Sequence, residues 1–251
     1  MTHILSYNHL GNYGRLGNQM FQYAALCAAA KNLGMRPMAN LSNSDLTKCF
    51  KLGFVEDGVN RPQSVYSERD FFYTGDLFIL PVDRDIDVVG YFQSEKNFGE
   101  HDALIREQFE FVSEISDKCH ELMPEEPCVS LHVRRGDYLQ LSDTHTNMDR
   151  EYYEQAMSEC KNQRPLVFSD DPEWCKQEMK WLGEDAIFFS NSQEIDLCLM
   201  TLCNSHIIAN SSFSWWGAYL GGGSTYAPKN WFAKRGPKDW KDIYCEGWNV
   251  I

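Results

Sequence analysis

Cys128-Val129-Ser130-Leu131-His132-Val133, preceded by Pro124-Glu125-Glu126-Pro127 and followed by Arg134-Arg135-Gly136-Asp137, sets the architecture of the chain. The two prolines break any helix and mark a boundary. The six-residue run behind them is too short for a helix and is expected to be a buried strand. From there the pattern is regular. Arg150–Lys161 is expected to be a helix capped by Asp149, and Pro165–Phe168 a strand. A helix follows with Asp171 as cap and Pro172 in its first turn, stopping at Gly183. Ala186–Phe189 is the next strand, and Asn191 with Glu194 suggests a capping pair for a helix reaching Cys203. His206–Ala209 and Ser224–Ala227 are expected strands around a helix running from about Ser214 to Gly221. Short apolar strands alternating with helices form a parallel, doubly wound α/β sheet. We therefore divide the chain into halves 1–123 and 124–251.

The first half opens as strand, glycine loop, helix, strand. These are His3–Tyr7, Asn8–Gly17, Gln19–Leu33 with Gly34 as a left-handed stop, and Met35–Asn40. Residues 41–100 show weak periodicity. Val88–Phe92 reads as a strand, Lys96–Phe111 as a helix and Ser113–Met123 as a further helix.

In a doubly wound sheet, ligands bind outside the carboxyl ends of the strands. The residues there are Arg134-Arg135-Gly136-Asp137, Ser169-Asp170-Asp171, Ser190-Asn191-Ser192 and Asn210-Ser211-Ser212-Phe213-Ser214, all but Phe213 and the turn glycine polar. Guanidinium forks match phosphate oxygens bidentately. The Asn210–Ser214 run, leading into a helix, offers N–H groups and hydroxyls to an anion. Together they describe a diphosphate pocket. The alternative is that Arg134 and Arg135 pair structurally with Asp137 or Asp170.

The 251 residues carry 23 basic and 36 acidic side chains, a formal net charge of −13. Such a surface repels duplex phosphates and anionic lipid, so no nucleic-acid partner is expected. No apolar run reaches the roughly 18 residues of a membrane span, and the first five residues lack the features of a secretory leader. Nine cysteines without a CxxC pair suggest free thiols in a reducing compartment. A cytoplasmic location is the expectation. P-loop and dinucleotide fingerprints are absent, which disfavours an NAD-type oxidoreductase. Asp83-Arg84-Asp85 has DxD spacing, which leaves a metal-dependent sugar transferase as an alternative; a charged turn involving Asp87 is the other reading. Arg135-Gly136-Asp137 follows a buried strand and is a coincidental adhesion tripeptide. Asn40-Leu41-Ser42 and Asn210-Ser211-Ser212 match a glycosylation sequon. Trp215-Trp216 is either core or a sugar platform.

His132-Val133-Arg134-Arg135-Gly136-Asp137-Tyr138 resembles the HxRRxD motif of fucosyltransferases that use GDP-fucose. Residues 14–24, from Gly14-Arg15-Leu16-Gly17-Asn18 to Tyr23-Ala24, resemble the N-terminal signature of glycosyltransferase family 11, the α-1,2-fucosyltransferases. The blocks Tyr91–Lys96, Phe168–Cys175 and Asn210–Ala218 are similar to later blocks of that family, in the same order. The resemblance implies a GT-B-like fold of two Rossmann-like halves, with the acceptor on the first and GDP-fucose on the second. It implies inverting transfer of L-fucose from GDP-β-L-fucose to the 2-hydroxyl of a terminal galactose in a glycan, with no metal or other cofactor. On this basis Arg134 holds the β-phosphate, His132 and Arg135 line the nucleotide site, and Asp196 recognises guanine. Ser211, Ser212 and Ser214 cradle phosphate, and Asn18 faces the donor from the other half. Asp137 is the first candidate for a base on the acceptor hydroxyl, with His9 and Asp143 behind it. A non-catalytic nucleotide-sugar-binding module is the remaining alternative.

Overall fold

The computed structural model describes residues 2–251. The chain forms two compact units, Met1–Val112 with Asp239–Cys245, and Ser113–Lys238 with Glu246–Ile251. The division falls at Val112–Ser113, earlier than the proline-rich break, and Asp239–Cys245 returns to the first unit.

In the first unit the elements are β1 (Ile4–Tyr7), α1 (Leu16–Leu33), β2 (Arg36–Ala39), α2 (Leu46–Cys49), β3 (Glu56–Asp57), β4 (Ser64–Ser67), β5 (Ile86–Val89) and α3 (Asp102–Gln108). The strands form one parallel sheet in the order β3-β2-β1-β5-β4. Helix α1 is buried along almost all of Leu16–Ala30, which its small alanines permit. It stops at Gly34, whose φ of 64° suits glycine and whose N–H bonds to Ala30 O. β5 ends at Val89 rather than Phe92, because Phe92 sits at φ 52°, outside extended geometry. The expected long helix Lys96–Phe111 is broken by Phe98 (φ −154°, ψ −6°) into short 3-10 turns before α3.

In the second unit the elements are α4 (Ser113–Leu122), β6 (Cys128–Val133), α5 (Arg150–Glu159), β7 (Arg164–Ser169), α6 (Pro172–Glu178), β8 (Ile187–Phe188), α7 (Gln193–Thr201), β9 (Ser205–Ile207), α8 (Ser212–Gly221), β10 (Ser224–Ala227) and β11 (Asn249–Val250). Helix α4 belongs here because its apolar face, with Ile115 and Cys119 buried, packs on α7, where the Cys119 thiol donates to Ile195 O at 3.6 Å. The sheet is parallel throughout, in the order β11-β10-β9-β6-β7-β8. β6 is buried at every position, as a central strand covered on both faces must be. Val129, Leu131 and Val133 pack with Tyr152, Tyr153 and Ala156 of α5 and with Val167 and Ile207. Asp149 accepts a hydrogen bond from Tyr152 N (3.0 Å) and Asp171 one from Trp174 N (3.3 Å), so both expected caps form. The expected Asn191–Glu194 pair does not form. Ser192 occupies the cap position of α7, and Asn191 Nδ2 instead donates to Asp196 Oδ1 at 3.1 Å.

All nine cysteines are free and buried. Trp215 and Trp216 are fully buried, which makes them core rather than a sugar platform. Among the described residues no helix is long and apolar enough to cross a membrane.

Candidate active site

The strand order of the second unit reverses between β6 and β9. In an open α/β sheet this reversal opens a crevice at the carboxyl edge, because the flanking connections leave in opposite directions. Arg134–Asp137 follows β6, and Asn210–Ser214 follows β9 and starts α8. The two segments meet directly. His132 Nδ1 lies 2.8 Å from Ser214 Oγ, and Tyr138 donates its hydroxyl to Asn210 O at 3.1 Å.

His132 is buried, and its backbone carbonyl accepts from the Tyr153 hydroxyl. Burial first, and the Arg134 charge second, push its imidazole down to about 3. It therefore stays neutral at physiological pH and orients Ser214 rather than supplying positive charge.

The positive charge comes from the two arginines. Arg134 pairs with Asp170 (2.8 Å) and Asp137, and its guanidinium lies 5.0 Å from the Tyr138 ring centroid. Its Nε is buried without a hydrogen-bond partner. Arg135 pairs with Asp171 (3.2 Å) and stacks over the Trp174 ring at 3.6 Å. The Asp170 carboxylate also accepts from Arg135 N at 2.9 Å. A Cβ at position 136 would stand 2.4 Å from Asp170 Oδ2, so any side chain there would displace the carboxylate from its place on Arg134. The structural ion pairing considered from the sequence is thus present, and it fixes both guanidinium groups beside the carboxyl edge of β6.

Ser211 caps α8 by accepting from Phe213 N at 3.3 Å. Ser214 is buried, while Ser212 is partly open. Asn210 is 2% exposed and spends its amide on Trp231 O (2.7 Å), so its sequon is not a surface acceptor. Asp196, early in α7, is buried, and its desolvated carboxyl is raised to about 6.

Tyr138 and Trp174, which support the two arginines, were not singled out as site residues by the sequence. The available signal was an aromatic at the strand-end segment beside each arginine. Asp143 is exposed and pairs with Arg235 at 3.2 Å. In the first unit, Asn18 accepts from Gln93 Nε2 at 2.6 Å, and the His9 ring packs edge-on to Tyr13. Asp83 pairs with Arg84, while Asp85 accepts from Ile4 N (2.9 Å) and bonds His3. These acids precede β5 at the amino edge of that sheet, away from where α/β sheets bind ligands. No cluster of three potential metal ligands occurs among the described residues.

Comparison with known proteins places this arrangement. The glycosyl transferase family 11 model matches residues 71–251. The α-1,2-colitosyltransferase of Escherichia coli is 33% identical, over 88% of this chain and 91% of that protein. The galactoside 2-α-L-fucosyltransferase SEC1 of Bos taurus is 29% identical over 84% of this chain and 64% of its own length. Among solved structures, the fucosyltransferase NodZ from Bradyrhizobium aligns with a TM-score of 0.61 at 14% identity, covering 88% and 92% of the two chains. POFUT1 in complex with GDP-fucose aligns at 0.54 and 11% identity, covering 100% and 98%. The fold is that of these GT-B-like enzymes. The chain belongs to glycosyl transferase family 11, the family of its α-1,2-fucosyltransferase relatives, and is a glycosyltransferase.

Proposed function

We propose that this enzyme moves L-fucose from GDP-β-L-fucose to the 2-hydroxyl of a terminal galactose, with inversion and without a metal. The observation that carries the reading is the paired guanidinium groups of Arg134 and Arg135, fixed beside the serine-rich start of α8 at the β6–β9 reversal. As the bond from sugar C1 to phosphate oxygen lengthens, the ring becomes oxocarbenium-like and the departing GDP gains negative charge. Arg134 and the amide groups opening α8 stabilise that charge more in the transition state than before it. The orientation of Arg134 is set in advance by Asp170 and Tyr138, and that of Arg135 by Asp171 and Trp174. Ser211, Ser212 and Ser214 hold phosphate oxygens, and His132 fixes Ser214. The Asp196 carboxylate accepts from the guanine edge. Asp137, 43% exposed, is the base that takes the acceptor proton.

The test is GDP release from GDP-fucose against a panel of β-galactosides, with linkage analysis of the product and a parallel run in excess chelator. An α-1,2-linked product at full rate in chelator is the expected result. Loss of activity in chelator would return attention to Asp83 and Asp85. GDP-fucose binding without transfer to any galactoside would identify a binding module. The 33% identity to a colitosyltransferase supports a second reading in which the sugar moved is colitose. A nucleotide-activated colitose run beside GDP-fucose, compared by kcat/KM, decides between them.

A further inference from the structure

The contact between Arg134 and Tyr138 is one link of a longer aromatic column. Tyr138 stacks on His145, with ring centroids 4.1 Å apart and planes 12° from parallel, and His145 packs against Phe232 at 5.8 Å. At the other end, the Arg134 guanidinium lies over the Tyr138 ring at 5.0 Å. We infer that His145 is a positioning residue for sugar transfer: stacked on Tyr138, it holds that ring, and through it the Arg134 guanidinium, in place for the departing diphosphate. The inference rests on the activity proposed above and adds to it a residue well beyond the strand-end segment.

His145 is itself anchored. Its N–H donates to Leu141 O at 2.9 Å, and its backbone forms an antiparallel bridge with Phe232. Next to that bridge, Ala233 N donates to Thr144 O (2.9 Å) and Arg235 N to Asp143 O (2.7 Å), and the Arg235 and Asp143 side chains pair at 3.2 Å. The two segments lie so close that a Cβ at Gly236 would stand 2.7 Å from both Thr144 O and Phe232 Cβ. Tyr138 has ties of its own: its hydroxyl donates to Asn210 O (3.1 Å), and its carbonyl accepts from Asn147 Nδ2 (3.3 Å). These hold the two ends of the residue, and the His145 face sets the tilt of the ring between them. Burial holds the His145 imidazole below the usual histidine pKa, with Asp137 pulling it up and Arg134 pushing it down. At neutral pH it therefore meets Tyr138 as an uncharged aromatic face rather than as a second cation beside Arg134. Its buried Nδ1 has no hydrogen-bond partner among the described residues, so packing rather than that atom holds the ring. A guanidinium braced in this way needs no reorganisation as charge builds on the phosphate.

His145→Ala and His145→Phe are the test variants, assayed for kcat, for acceptor KM and, by calorimetry, for GDP Kd. His145→Ala is also placed in the Arg134→Ala background. Alanine removes the stacked face and is expected to lower kcat about tenfold, with acceptor KM within about twofold of the parent. Phenylalanine keeps the face and is expected to return kcat to within about twofold of the parent. Because His145 acts through Arg134, His145→Ala is expected to change kcat by less than about twofold once residue 134 is alanine. An unchanged kcat in His145→Ala overturns the role, as does an equal loss in both backgrounds. A loss that phenylalanine does not repair overturns it in favour of a direct contact by an imidazole nitrogen. Where His145→Ala does not fold, His145→Leu fills the space without a flat ring and carries the same comparisons. If the parent enzyme transfers to no galactoside, the activity fails on its own and GDP Kd decides the inference. A Kd raised about fivefold by alanine and not by phenylalanine then supports it, and an unchanged Kd in both overturns it.

Discussion

Arg134 has three supports and one unfilled donor. Asp170, Asp137 and the Tyr138 ring fix its guanidinium, while its buried Nε has no partner. Arg134→Ala is expected to lower kcat by about 100-fold or more while leaving the far-ultraviolet circular dichroism unchanged. Arg134→Lys is expected to recover only a small part, because a point charge cannot reproduce the planar fork held between two carboxylates. Asp196 gives a pH signature. Burial raises its carboxyl to about 6. An acid whose folded pKa lies above its unfolded value adds stability while protonated, and that contribution is lost as pH rises through about 6. Recognition of a guanine edge needs the ionised form. GDP affinity is therefore expected to fall below pH 6, toward about tenfold per unit, while the free protein gains stability over the same range. Calorimetric titration of GDP from pH 5 to 8 reads the first effect, and denaturant midpoints read the second. Asp196→Asn is expected to flatten both profiles and to weaken GDP binding at pH 7.5.

At the scale of elements, two capped helices separate stability from function. Asp149 does nothing beyond starting α5 that bears on the site, whereas Asp171 starts α6 and also pairs with Arg135. Asp149→Ala is expected to cost about 1 kcal/mol in urea denaturation with an unchanged KM for the donor. Asp171→Ala is expected to cost a similar amount and also to raise the donor KM, because the Arg135 fork then rests on Trp174 alone. These caps were legible in the sequence because a cap is a local device: one side chain and one nearby N–H, joined in α6 by a proline in the first turn. The glycine after α1 and the buried run of β6 were legible for the same reason. Residues 41–100 were not. β3 is exposed at both positions and β4 alternates only between half-buried and exposed, so neither carries the apolar signal of a strand. Phe92 was read into β5 because its left-handed backbone is imposed by Glu68, far off in sequence. Asn191 and Glu194 matched a capping pattern, but Asn191 serves Asp196 instead. In the site, the strand-end arginines and serines could be read from topology. The neutrality of His132 could not, since it depends on burial by Phe213, Ser214 and Tyr153.

At the scale of the molecule, the chain passes between its two units at Val112–Ser113, Lys238–Asp239 and Cys245–Glu246. The last stretch thus serves both. Asp242 anchors Lys96 and Tyr73 in the first unit, and β11 pairs with β10 in the second. Deletion of residues 239–251 is expected to destabilise both units, read as a lowered Tm. The Asp242→Asn variant, which keeps β11 and removes the ion pair with Lys96, is expected to lower Tm by less. The interleaved path also bears on engineering. A hybrid that grafts the first unit of a relative onto this second unit cannot be made by one crossover near the middle of the gene. It needs the seven-residue return segment, Asp239–Cys245, swapped along with the amino-terminal portion, and libraries recombined at a single junction will yield mismatched halves.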